Sequence, residues 1–228
     1  YVKNASKYRI NFNEYLEKGG LPELYTDFSK DHLKQILDLV FFRDIVDIFT
    51  VKKTGVLKGI FRHIVENSGQ KINYSNLADD LNTQYRTIND YVQYLEDSFL
   101  IKKSLPLEKS HLRSLRKNPK VYVSDHSYMQ LWSSKIGLKA QTIAFNHIKR
   151  LGEVYFLKDP EVDIVIPDKK LAFEVKYSNN ISKGDARNLV KLPKDYDLYL
   201  LTKDIYDDFK IEDRKISLIP LWLFALSV

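Results

Sequence analysis

Residues 161–176, EVDIVIPDKKLAFEVK, decide the fold of the C-terminal half of this chain. Alternation puts Leu171, Phe173, Val175 and Tyr177 on one face and Ala172, Glu174 and Lys176 on the other, which predicts a strand. With Pro167 to Lys170 as a four-residue loop, Ile166 faces Leu171, and counting outward sets Asp163 opposite Glu174. Two carboxylates facing one another inside apolar runs repel unless something offsets their charge. A divalent cation, Mg²⁺ or alternatively Mn²⁺, would do so, and Lys176 could then position water or offset charge at a phosphoryl transition state. A solvated hairpin face of mixed charge fits the same spacing.

Outward from the hairpin, periodicity predicts a helix over 139–151, strands over 153–157, 162–166 and 171–177, a helix over 183–192 and a strand over 197–201. Asp163, then Glu174-Val175-Lys176, in this αβββαβ order resembles the D…ExK signature and core of the PD-(D/E)XK nuclease-like superfamily. That resemblance implies catalytic roles for Asp163, Glu174 and Lys176. A wider set of stretches is similar to the C-terminal region of prokaryotic, often archaeal, AAA-type ATPases: NEYLEKGGLPEL (13–24), FFRDIVDIF (41–49), YSNLADDLNTQYRTINDYVQYLEDSFLI (74–101) and NPKVYVSD (118–125), besides the hairpin. The resemblance implies an archaeal-type protein in which an upstream module binds ATP. No G-x-x-x-x-G-K-[ST] occurs in this chain, so no P-loop nucleotide site is expected of it.

One departure bears on activity. The family's helix before the strands usually carries a Glu-Asn pair eleven residues before a terminating glycine, and counting back from Gly152 reaches Gln141-Thr142. Gln141 shares a stripe with Phe145 and Ile148, so it should face the sheet and join Asp163 and Glu174 as an uncharged metal ligand.

The middle of the chain reads as a winged helix-turn-helix. Helices are expected over 56–66, 75–81 and 84–98, with Asn82-Thr83 as the turn and Ile88, Tyr91, Val92 and Leu95 buried. Tyr85, Arg86, Asn89 and Gln93 then take the outer face, where such residues reach base edges and phosphates. Strands over 100–105 and 120–123 would form the wing, with Lys109, Arg113, Arg116 and Lys117 at its tip. Residues 101–120 hold seven lysines and arginines against Glu108 alone, which equals the whole formal charge of +6. DNA is the partner such a cluster suits. A solvated loop, or a docking surface for an acidic protein partner, remains open, since Asp90, Glu96 and Asp97 make the third helix less cationic.

Composition bounds the rest. At 228 residues, with 44% hydrophobic residues, the chain suffices for two modest domains with cores of their own. It has no cysteine, which excludes disulfides and thiolate metal sites and fits the reducing cytoplasm, so a cytoplasmic location is expected. Its longest apolar stretch, 216–228, contains Pro220 and is too short to span a bilayer, so no membrane role is expected. Tyr1 in place of methionine is expected to mark a boundary inside a longer protein. The histidines show no HExxH spacing, and no G-x-S-x-G elbow occurs. Gly19-Gly20-Leu21-Pro22 should break an opening helix ahead of a longer one over 31–49, with Arg43-Asp44 as a structural ion pair.

The expected organisation is α+β: a helical adaptor (1–54) next to the absent ATPase module, a winged helix-turn-helix (55–130) and a PD-(D/E)XK nuclease-like domain (131–228). The expected function is DNA binding, with nuclease activity weak or lost. An active Mg²⁺-dependent endonuclease and a non-enzymatic module coupling the ATPase to a protein partner are the alternatives.

Overall fold

Gly19, at φ +97, ends the first helix, α1 (Ala5–Lys18), in a conformation that favours glycine. A Cβ there would collide with the Ser127 side chain and backbone. The computed structural model describes residues 4–26 and 28–228; residues 1–3 and 27 of the expected helical adaptor lie outside the described residues. After α2 (Glu23–Thr26) comes α3 (Lys30–Leu39), whose start is capped by Ser29, its hydroxyl accepting from the His32 N–H at 3.0 Å. α3 continues through a π-helical stretch, Val40–Val46, into α4 (Asp47–Phe49), giving the long helix expected over 31–49. Arg43 and Asp44 are 3.9 Å apart and both exposed, so the expected structural ion pair is a loose surface contact of little worth.

The chain proceeds through α5 (Thr54–Glu66), β1 (Gln70–Lys71), α6 (Tyr74–Asp80), α7 (Tyr85–Asp97), β2 (Ile101–Pro106), α8 (His111–Leu115), β3 (Lys120–Val123), α9 (Met129–Trp132) and α10 (Ile136–Ile148). Then follow β4 (Tyr155–Lys158), β5 (Glu161–Ile166), β6 (Leu171–Lys176), β7 (Asp197–Thr202), β8 (Asp207–Ile211), β9 (Arg214–Pro220) and α11 (Leu221–Ser227). The result is an α+β protein with mixed strand pairing. No helix of the described residues is long and apolar enough to cross a membrane.

Two units divide the described chain. One comprises residues 14–26, 28–103 and 118–135. Here α6 packs on α7 and both α5 and α7 bury apolar stripes, with Leu57, Ile60, Phe61, Ile88, Val92 and Leu95 fully enclosed. Phe61 anchors this core, its ring edge-on to Phe41 at 5.4 Å and to Tyr128 at 5.5 Å. β1 pairs antiparallel with β3 through Gln70↔Val121, and β3 neighbours β2.

The other unit comprises residues 4–13, 104–117 and 136–228. In it the end of β2 runs parallel to β4, β4 and β5 are antiparallel, β5 and β6 form a hairpin, β6, β7 and β9 run parallel, and β8 returns antiparallel along β9. One face of β6 and β7 packs the turns after β6 through Ala172, Ala186, Leu189, Leu198 and Leu200. On the other face Phe173 stacks on Tyr199 at 5.1 Å and meets Phe224 of α11 at 5.6 Å.

The hairpin has the expected register: Ile166↔Leu171, Val165↔Ala172 and Ile164↔Phe173. Its loop is a single 3₁₀ turn, Pro167–Lys169, closed by Lys170 at φ +54. Two expectations are corrected. The helix expected over 183–192 is two short 3₁₀ turns, Lys183–Ala186 and Leu189–Lys191; a Ser182/Asp185 capping box opens the first and Pro193 follows the second. The tip expected between two wing strands instead carries the helix α8.

Candidate functional site

The hairpin ladder runs to Ile164↔Phe173, and next to it β5 is irregular, since Tyr155 pairs with Val165 but Leu157 with Val162; Asp163 sits in this irregularity, and Asp163 and Glu174 are both partly buried. α10 brings Gln141 to Asp163. Gln141 is buried, as its stripe with Phe145 and Ile148 requires, and its Nε2 donates to Asp163 Oδ1 at 2.6 Å. Two of the expected site residues, Gln141 and Asp163, are therefore in direct contact. The amide offsets one carboxylate as a donor, which is the opposite of a metal ligand's role toward that oxygen.

Lys176 behaves differently. Its ammonium lies 3.0 Å from Asp185 Oδ1, in the first 3₁₀ turn after β6. Asp185 is not among the expected residues, although Ser182-Lys183-Gly184-Asp185 has the spacing of a capping box. Its Oδ2 accepts from the Ser182 N–H and from the Ser182 hydroxyl, both at 2.8 Å. Burial pushes the Asp185 carboxyl up, but hydrogen bonds from the Ser182 backbone, Lys176 and the Ser182 hydroxyl outweigh it and hold the carboxyl below its ordinary value.

Whether these residues fit a divalent cation follows from the donor set. Asp163 and Glu174 supply two carboxylates, while Gln141 spends its amide N–H on one of them. Among the described residues no three histidine, cysteine, aspartate or glutamate side chains form a metal-holding group. Mg²⁺ and Mn²⁺ take several hard oxygen ligands, and no third carboxylate joins Asp163 and Glu174 among the described residues, so no hydrolytic step is derived through an ion.

The basic segment separates into spent and available cations. Lys103 pairs with Glu96 at 2.7 Å, Lys120 is buried, and Lys102 sits 4.7 Å from the centroid of the Phe99 ring. Lys109, Arg113, Arg116 and Lys117, on and around α8, are exposed and carry no ion pair among the described residues. Leu112 and Leu115 of α8 are exposed beside them.

On α7, in the other unit, Tyr85, Arg86, Asn89 and Gln93 all lie on the exposed face, as the periodicity requires. Gln93 is nevertheless withdrawn: it donates to Asp97 at 2.8 Å and accepts from Lys103 at 2.8 Å. Arg86 keeps only a long 3.8 Å contact to Asp90.

These features define an α+β protein with a hairpin that carries Asp163 and Glu174 and an exposed basic helix, α8. The chain belongs to the family described as Domain of unknown function (DUF8612), whose profile matches residues 9–141 and so stops short of the hairpin. It is similar to an uncharacterized protein of Haemophilus influenzae, 24% identical over 229 residues, with 93% of this chain and 57% of that protein covered. It is also similar to the uncharacterized protein MJ1544 of Methanocaldococcus jannaschii, 25% identical over 245 residues, with 94% of this chain and 55% of that protein covered. The chain thus spans a little more than half the length of the curated relatives it matches. No solved structure matches significantly.

Proposed function

We propose that this chain is the DNA-binding part of a longer AAA-type ATPase, with a winged helix and a PD-(D/E)XK-like unit whose nuclease activity is weak or lost. The observation that carries DNA binding is the set of exposed, unpaired cations at Lys109, Arg113, Arg116 and Lys117. Clustered cations without acid partners gain most from a polyanion, because contact with phosphates releases condensed counterions. The order α5, β1, α6, α7, β2, β3 supports the winged-helix reading, with Tyr85, Arg86 and Asn89 left to face bases.

The nuclease-like reading rests on the order α10, β4, β5, β6, β7 with Asp163 on β5 and Glu174 on β6 of one hairpin. Its weakness rests on Gln141, and on Lys176 being held by Asp185.

Fluorescence anisotropy with a labelled duplex tests the proposal. Affinity should fall steeply as salt rises, and the triple variant Arg113→Gln/Arg116→Gln/Lys117→Gln should lose most of it. Affinity that does not change between low and moderate salt would remove DNA from the reading and favour a protein partner. Plasmid nicking in Mg²⁺ or Mn²⁺ should be absent or feeble; nicking that Lys176→Ala abolishes would instead make the chain an active endonuclease.

A further inference from the structure

The carboxyl ends of β6, β7 and β9 lie side by side, because Lys176 pairs with Thr202 and Thr202 with Pro220 in parallel register. Where parallel strands end together, the chain leaves the ladder in different directions and opens a crevice, the usual ligand position in open sheets. The residues just past these ends, Tyr177, Lys203, Asp204 and Trp222, line a cavity of about 300 Å³ together with Arg9 and Asn13 of α1. All of them belong to one unit.

The lining is rich in donors. Arg9 reaches Asp204 Oδ1 at 2.5 Å, and Asn179 donates to Asp204 Oδ2 at 3.3 Å. Asp204 is therefore committed, while it aims an Arg9 guanidinium that keeps most of its five donors. Lys203 is exposed and has no ion-pair partner among the described residues. The Tyr177 phenol is pushed up by burial first and by Asp204 next, with Arg9 opposing, so it stays an O–H donor at neutral pH.

Two cations against one neutralised acid select an oxyanion, and an arginine fork beside a lysine point charge is a phosphate-binding combination. The volume lies at the small end of ligand pockets, which suits a single nucleotide.

We infer that this cavity binds a phosphate monoester of mononucleotide size, with Arg9 and Lys203 on the phosphate and the Tyr177 and Trp222 rings beside the attached group. The inference is independent of the role given to α8. Its ligand is either a free mononucleotide or the 5′-phosphorylated end of a strand.

The two indole N–H groups, Trp132 and Trp222, give the readout in a ¹⁵N-labelled full chain, with Trp132→Phe assigning them. Trp222 Nε1 is buried without a hydrogen-bond partner among the described residues, so small rearrangements around it should register. Thymidine 5′-monophosphate should shift the Trp222 resonance saturably and leave Trp132 in place, and thymidine should not. Lys203→Gln should weaken binding about tenfold, the loss expected of one charged hydrogen bond. Arg9→Gln should weaken it similarly, but Arg9 also anchors Asp204, so the exposed Lys203 is the deciding variant.

Competition by 5′-phosphorylated oligothymidylate, but not by its 5′-hydroxyl form, assigns the site to a strand end; competition by neither assigns it to a free nucleotide. No saturable shift up to about 10 mM, or unchanged affinity in Lys203→Gln, overturns the inference. The α8 triple variant should retain nucleotide binding, so loss of duplex affinity and loss of this site are read separately.

Discussion

At the scale of single residues, Gln141 and Asp185 govern the hairpin site. The 2.6 Å contact from Gln141 to Asp163 replaces what would be two facing acids by a donor and an acceptor. Gln141→Glu should therefore destabilise the protein by about 1–3 kcal/mol in chelator, through a lost hydrogen bond and like-charge repulsion. It should also create Mg²⁺- or Mn²⁺-dependent stabilisation that the parent lacks, read as a Tm shift; equal Tm shifts with metal in both proteins would refute this account. Asp185→Asn should cost about 1 kcal/mol at neutral pH by weakening the capping box and releasing Lys176. Because the folded carboxyl is held below its ordinary value of 3.8, its stabilisation is full above that value and fades as pH falls through the lower folded value. Denaturant midpoints of parent and variant should converge on acidification below about pH 4, and a gap that persists there would contradict the charge-based role. Alternation and loop length make the hairpin register from Ile166↔Leu171 to Ile164↔Phe173 legible in the sequence, whereas the irregularity of β5 at Asp163 has no signal there. Asp185 is not legible as a partner of Lys176, because that contact depends on how the chain turns after β6.

Legibility at the scale of elements follows the strength of the local pattern. α5, α6 and α7 are readable from apolar stripes and from the turn at Asn82, whose φ is +46. The 3₁₀ turns after β6 read as a helix because Leu189 and Leu192 bury against the sheet at a spacing that a helix shares. The β8–β9 hairpin gives no comparable signal: its turn at Glu212, φ +54, carries no glycine, and β8 is polar and partly exposed. α10 offers a clean test of helix energetics in the element that carries Gln141. Gly137, in its first turn, has open space where a methyl group would sit, with nothing within 4 Å, so Gly137→Ala should stabilise the fold by about 0.5–1 kcal/mol. Gly19→Ala should instead destabilise by more than about 1 kcal/mol, since both its φ and the approach of Ser127 oppose a side chain. Chemical denaturation of the two variants should give shifts of opposite sign.

For the molecule as a whole, the question is how much of the formal charge of +6 reaches a partner. Sequence places the excess in residues 101–120, and all seven cations there would give a salt slope of about −6 for duplex DNA. The structure removes three from that count: Lys103 is bound to Glu96, Lys102 sits over Phe99, and Lys120 is buried. The four that remain exposed set the slope of log K against log salt at about −3.6. The triple variant at Arg113, Arg116 and Lys117 keeps Lys109 alone of these four and should bring the slope to about −1. Titrations from about 50 to 200 mM salt resolve these values. A slope of about −6 in the parent would mean that the paired and buried lysines are released onto DNA, requiring rearrangement around β2 and β3. A slope near zero with partner capture intact would move the basic helix from phosphate binding to an acidic protein surface.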